Sequence, residues 1–416
     1  MLGTFHTPAT RTMQRRYDLD WVRVLAFGLL VLYHVGMYYV SWDWHVNSPT
    51  AVTALEPLMM MSAPWRLSLL FLVSGVATAF LLARSRPDAS GRPRGFLGPR
   101  SWRLLVPLAF GMLVVVVPKA YYEVVEQLPG GYHDGYLAFW GRYLAADDGF
   151  CDADGCLAVP TWNHLWFVAY LWVYTVAVCL LARALPRGLA RAGETLGTRL
   201  GGLGLLLWPA LGLALVRLLL VERFESTHAL LDDWYNHAQY FAVFLLGFLV
   251  ARDARVWDGF ARLRWAGAAL WLGSWLAIAT YYAVFREQPP PQGLRLAMRL
   301  LWGLNQWSAI VAILGFARQL APGDSPALRY LGQAIFPVYI LHQTLIVVLA
   351  HHLKPLQLPF AVEGPLLVAT TFALAFGGYE LIRRIPPLRP LFGLKYRECG
   401  ATVERPTPAA APVRER

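Results

Sequence analysis

Apolar residues run through this chain in long blocks, and a membrane-spanning helix needs roughly 20 of them in succession. Ten blocks fit, at about 19–40, 65–83, 104–118, 164–182, 203–221, 237–251, 265–284, 300–317, 332–350 and 363–382. Most polar stretches between them are short, but those at 41–64 and 119–163 are long. The pattern predicts an all-α protein, a polytopic transmembrane bundle of about ten helices. Gly and Pro inside several blocks are compatible with this, because neighbouring helices in a bundle satisfy the freed backbone groups.

Composition narrows the class further. The chain is 57% hydrophobic and 15% charged, with a mean hydropathy of +0.42. Soluble domains carry about 45–50% apolar and about 25% charged residues. A soluble globule and a disordered chain are both excluded on these figures. The net charge of +11 is not a nucleic-acid signal, because its placement alternates from one polar segment to the next. With the N-terminus inside, 28 of the 37 lysines and arginines fall on the inner segments, while 15 of the 26 acids fall outside. The positive-inside rule reads that cationic asymmetry as both termini cytoplasmic. The first block is too long for a cleavable signal and lacks a small-x-small site after it. The expected organisation is a cytoplasmic segment at 1–18, a transmembrane domain at 19–384 and a cytoplasmic tail at 385–416. That tail turns Pro/Ala-rich after residue 400 and reads as partly disordered.

The two long outer stretches are rich in aromatics, as in SWDWH and YYEVVEQLPGGYHDGYLAFWGRY. An interfacial aromatic belt accounts for such residues, and so does stacking on sugar faces. Cys151 and Cys156 flank the turn FCDADGC, which predicts a small disulfide loop in an oxidising compartment. Asp152 and Asp154 also suit a fragment of a calcium loop, without its closing Glu. Cys179 reads as helix packing and Cys399 as a tail thiol.

Candidate chemistry concentrates in the first block. Asp20, Arg23 and His34 are ionisable groups in an apolar helix, and such groups are functional candidates by default. Arg23 and His34 are eleven residues apart, close to three full turns, so they share a face about 16 Å apart along the axis. Asp20 is placed to pair with Arg23. A cation at one end and an imidazole deeper in suit a long ligand with an anionic head and a reactive far end, the form of acyl-CoA. Arg100 and Arg103 lie three apart at a helix start, and the planar guanidinium fork suits phosphate. An ordinary cationic anchor is the competing account of each arginine, and an interhelical hydrogen bond that of His34. His342 lies mid-block with Tyr339 one turn before it; function and an interhelical bond are balanced there. His164 opens the fourth block at its outer end, as a substrate contact or an interfacial anchor. Arg217 snorkels or meets an acidic acyl group, and His351 and His352 read as solvated. No metal-ligand spacing, nucleotide fingerprint or nucleophile elbow is present, so no metal site is expected.

Taken in order, these motifs resemble the acyltransferase 3 family of integral membrane acyltransferases. Arg, ten residues and then His in the first helix is matched by Arg23 and His34. The Arg-x-x-Arg pair is matched by Arg100 and Arg103, and a second-helix phrase by LLFLVSG, with Ser74 and Gly75. The phrases YHVGMYYVSWDWH, TWNHLWFVAYL, QYFAVFLLGFLVAR, FPVYILHQT and RPLFGLK are most similar to the glucan-biosynthesis-protein-C-like branch. The resemblance covers roughly 17–395. It implies a ten-helix core in a bacterial inner membrane and transfer of an acyl group, succinyl or acetyl, from cytoplasmic acyl-CoA to a glycan hydroxyl outside. It also implies that His34 is catalytic and that Arg23, Arg100 and Arg103 contact acyl-CoA. Asp20, Ser74, His164, Tyr339 and His342 are supporting candidates. The expected partners are acyl-CoA as donor substrate, a glycan acceptor and membrane lipid, with no nucleic acid and no permanently bound cofactor. A glycan or lipid-precursor transporter is the rival reading, although no inverted repeat is evident, and a silent scaffold is a third.

Overall fold

The computed structural model describes residues 15–85, 95–151 and 155–396. The expected tail beyond residue 396, with Cys399, and the acidic pair Asp152 and Asp154 lie outside the described residues.

The described residues form helices joined by loops, with one isolated bridge between Cys151 and Cys156. Helix α1 covers Tyr17–Tyr39, α2 Glu56–Ser62 and α3 Arg66–Arg84. Next come α4 (Leu97–Phe110), α5 (Val117–Gln127), α6 (Tyr136–Leu144) and α7 (Trp166–Ala184). They are followed by α8 (Pro186–Arg199), α9 (Gly204–Leu220), α10 (Trp234–Val250) and α11 (Ala254–Val284). The last are α12 (Gln292–Leu320), α13 (Pro326–Leu353), α14 (Phe360–Arg384) and the short α15 (Leu388–Leu391).

Each of the ten apolar blocks coincides with a helix, so the chain is an all-α polytopic membrane protein. Among the described residues seven helices are long and apolar enough to cross a membrane, and nine spans result if each of two bent pairs counts once. The remaining block forms α10, whose 17 residues are at the short end of the spanning range.

One bent pair is α4 and α5, joined through a π-helical turn at Gly111–Val115 and angled by 41°. Its cause is local: Pro118 has no N–H to continue the ladder, and π-bulges and prolines are the usual origins of kinks. Thr344 closes the turn by donating its hydroxyl to the carbonyl of Val115 at 2.8 Å. The helix therefore continues where the sequence reading had an outer loop, and Lys119 is fully buried. The inner stretch at 183–199, also read as a loop, is helix α8, set at 115° to α9.

Helices pack in the membrane through small residues and side-chain hydrogen bonds rather than through a hydrophobic driving force. The contact of α3 with α10 shows both devices. A Cβ on Gly75 would stand 2.0 Å from the Phe244 carbonyl oxygen, and one on Gly247 would stand 2.3 Å from that of Leu72. Gln306 of α12 ties them, donating to Ser68 at 2.6 Å and to Gln239 at 3.1 Å. The expected disulfide between Cys151 and Cys156 is present. His351 pairs with Glu126 at 2.7 Å, so it is engaged rather than solvated as expected, whereas His352 is exposed.

Candidate active site

Two packings place the histidines. Helix α1 lies against α13, and a short 3₁₀ turn at Asn163–Leu165 leads into α7. His34 Nδ1 lies 2.8 Å from His342 Nε2, and the two rings stack at 5.0 Å. On its other side His342 Nδ1 lies 2.5 Å from the carbonyl oxygen of Tyr339.

That carbonyl only accepts, which fixes the tautomers of the whole row. His342 donates through Nδ1, so its neutral ring accepts through Nε2. His34 then donates through Nδ1 and keeps a bare Nε2. His342 is fully buried, whereas His34 borders a cavity of about 660 Å³. A bare imidazole nitrogen on a cavity wall, backed by a second imidazole, is the arrangement a general base requires.

His164 is the third ring, edge-on to His342 at 5.3 Å. Its Nε2 donates to the Ile340 carbonyl at 3.1 Å, leaving Nδ1 buried without a partner. Tyr339 donates its hydroxyl to the His164 carbonyl at 2.5 Å and so locks that turn to α13. His164 and Tyr339 both border the cavity. The structure therefore brings together His34, His164, Tyr339 and His342, and the interhelical-bond reading of His342 is true alongside its place at the site.

The cavity wall is also aromatic, with Tyr33, Trp44, Trp162 and Trp166. His45 sits there 2.9 Å from Glu123, and burial lowers its imidazole pKa below the usual value against the pull of that carboxylate. Arg66 opens α3 with its guanidinium 3.3 Å from the Tyr33 ring centre, and its Nε and Nη1 are buried without partners.

The arginines lie elsewhere. Arg23 approaches Asp20 at 3.7 Å, the expected pairing, although Asp20 also accepts from Arg15 at 2.8 Å. Arg23, Arg100 and Arg103 are close enough to repel one another, and the Nε atoms of Arg23 and Arg100 are buried without partners. Arg103 donates to the Gly393 carbonyl at 3.1 Å. None of the three borders the cavity. Its wall reaches Phe27, one turn beyond Arg23, where the ring packs on Tyr339 at 5.2 Å and Phe167 at 6.4 Å. These ring contacts stand on α1 between Arg23 and His34. Ser74 is also outside the cavity; its carbonyl takes the Thr78 hydroxyl at 2.8 Å, and the adjacent Gly75 explains the phrase by packing. Arg217 stacks over Trp302 at 4.3 Å in a separate pocket.

Sequence reasoning missed three polar groups here. Lys119 donates to the side-chain oxygens of both Asn163 and Gln343. Asn163 and Gln343 border the same cavity as His34. Lysine directly after a proline at the end of an apolar block reads as a loop, and no local pattern distinguishes it from one.

A sequence model described as an acyltransferase domain matches residues 16–380. The chain belongs to the acyltransferase 3 family. The protein named glucans biosynthesis protein C of Escherichia coli K12 is 26% identical over 190 residues, covering 44% of this chain and 43% of that protein. Its counterpart in Escherichia coli O157:H7 strain EC4115 matches with the same identity and coverage. The alignment thus spans less than half the length of these curated relatives. No solved structure matches the chain significantly. Within this family member, Arg23 and His34 stand toward opposite ends of α1.

Proposed function

We propose that this protein transfers an acyl group, succinyl or acetyl, from cytoplasmic acyl-CoA to a hydroxyl of an extracytoplasmic glycan in a bacterial inner membrane. The bare Nε2 of His34 on the cavity wall is the observation that carries the reading. An acceptor hydroxyl entering the cavity gives its proton to that nitrogen as it attacks the thioester carbonyl. Positive charge forming on His34 is shared with His342 and, through it, with the Tyr339 carbonyl. The thiolate leaves and takes the proton back, so His34 ends neutral. Tryptophan faces on the wall suit a sugar acceptor, in keeping with the name of the relatives.

Arg23, Arg100 and Arg103 take the phosphates of the donor. The unpartnered Nε atoms of Arg23 and Arg100 are ready donors, and about 16 Å of helix separates Arg23 from His34, a distance within reach of a pantetheine arm. The arm reaches the cavity when Phe27 swings from Tyr339 and Phe167. The charge asymmetry of the segments supports a cytoplasmic position for both termini and the arginine end.

Sidedness tests this directly. Inside-out vesicles given labelled acyl-CoA outside are expected to acylate glycan trapped in their lumen. Right-side-out vesicles given donor only on the outside are expected to be inactive. Efficient transfer by the latter would overturn the two-sided reading.

A further inference from the structure

We propose that Asn163 and Gln343 form an oxyanion hole for the acyl donor, with Lys119 as the positioning residue that orients both side chains. The inference rests on the acyl-transfer reading above and adds to it the group that holds the developing negative charge.

Three elements meet at Lys119. It rises from the start of α5, Asn163 from the turn before α7 and Gln343 from α13, and the lysine is fully buried between them. An ammonium group has three donors and no acceptor. Both amides must therefore turn their oxygens to Lys119, which leaves each NH₂ group pointing away from it. Neither NH₂ group has a protein partner among the described hydrogen bonds, and neither is among the buried unpartnered atoms. Both residues border the cavity, as do His34 and His164. Along the chain Asn163 directly precedes His164, and Gln343 directly follows His342, the partner of His34.

Backbone geometry supports a dedicated position for Asn163. Its φ is +43°, in the left-handed region where Asn is several-fold enriched among residues other than glycine. Its N–H donates to the Thr161 hydroxyl at 3.0 Å, which holds the turn. Strained backbone of this kind clusters at functional sites. Electrostatics point the same way. Among the described residues Lys119 makes no ion pair, and the nearby Glu123 is engaged by His45 at 2.9 Å. Apart from Glu123, whose carboxylate is shared with His45, the buried cation is held by neutral amides, and an oxyanion formed beside those amides adds a counter-charge.

The chemistry balances. As the acceptor oxygen bonds to the thioester carbon, the carbonyl π pair moves to oxygen and the hydroxyl proton to His34 Nε2. The alkoxide so formed takes hydrogen bonds from the two NH₂ groups. Its electron pair then reforms the carbonyl, the carbon–sulfur bond breaks, and the thiolate is protonated by His34. Preorganised donors aimed at such an oxygen are each worth about 10²–10³ in kcat.

The test compares a natural acyl-CoA with its dithioester analogue, whose C=S accepts hydrogen bonds poorly. Asn163→Ala and Gln343→Ala, purified at wild-type thermal stability, are expected to lose about 10²–10³-fold in kcat on the thioester, with donor KM held. On the dithioester, where wild type already lacks these bonds, the variants are expected to lose little more. Lys119→Met is expected to narrow the thioester-to-dithioester ratio in the same way. Equal loss on both donors would mark a purely structural role, and thioester kcat within threefold of wild type would show no role; either overturns the proposal. If wild type releases no CoA, or His34→Ala matches it, the acyl-transfer reading itself falls.

Discussion

Replacing His342 separates a base that acts alone from a base that acts through a partner. His342 is fully buried, so His342→Leu fills the site with little change in volume and removes the hydrogen bond to His34 at 2.8 Å. Two things are lost together: the acceptor that fixes the His34 tautomer and the second ring that shares its charge. A hydrogen bond to a group that becomes charged is worth about 1.5–3 kcal/mol. At about 1.36 kcal/mol per tenfold, kcat should fall roughly 10–150-fold. His342→Gln adds a second measurement. Its amide oxygen accepts from His34 Nδ1 but takes up no proton. If His342 only orients His34, the Gln variant keeps most of the activity; if it shares the charge, Gln falls nearly as far as Leu. The assay is CoA release followed with a thiol reagent on purified protein with acceptor glycan, fitted for kcat and both KM values. A Leu variant within twofold of wild type in kcat would refute the reasoning, because the tautomer argument gives His34 no other source of orientation.

His34→Ala should insert and accumulate normally while CoA release falls by the 10²–10⁴-fold typical of a lost general base; wild-type turnover at equal membrane abundance would remove His34 from the mechanism. Arg100→Ala and Arg103→Ala should each raise the KM for acyl-CoA by the equivalent of about 1.5–3 kcal/mol while acceptor KM holds; a change in acceptor affinity instead would move the phosphate site. Gly75→Val should lower the melting temperature in detergent, since its Cβ meets the Phe244 carbonyl oxygen at 2.0 Å and overpacking costs about 1–3 kcal/mol; an unchanged melting curve would show that α3 and α10 separate freely.

The sequence by itself determined the membrane class, the apolar blocks and the placement of Arg23 and His34 on one face, because block length and helical period are local properties. It also held the Asp20–Arg23 approach and the Cys151–Cys156 pair, which depend on residues at most five apart in sequence. Tertiary structure alone decided what surrounds the imidazole. His34 meets a partner 308 residues away, and the tautomer of that partner is set by a carbonyl within its own helix. Lys119 is a loop residue by pattern and a core residue in the fold, because the helix resumes beyond the turn at Pro118 and amides from two distant segments satisfy its donors. No periodicity in the chain encodes those meetings. They arise where buried polar groups, denied water, find one another across helices that sequence separates.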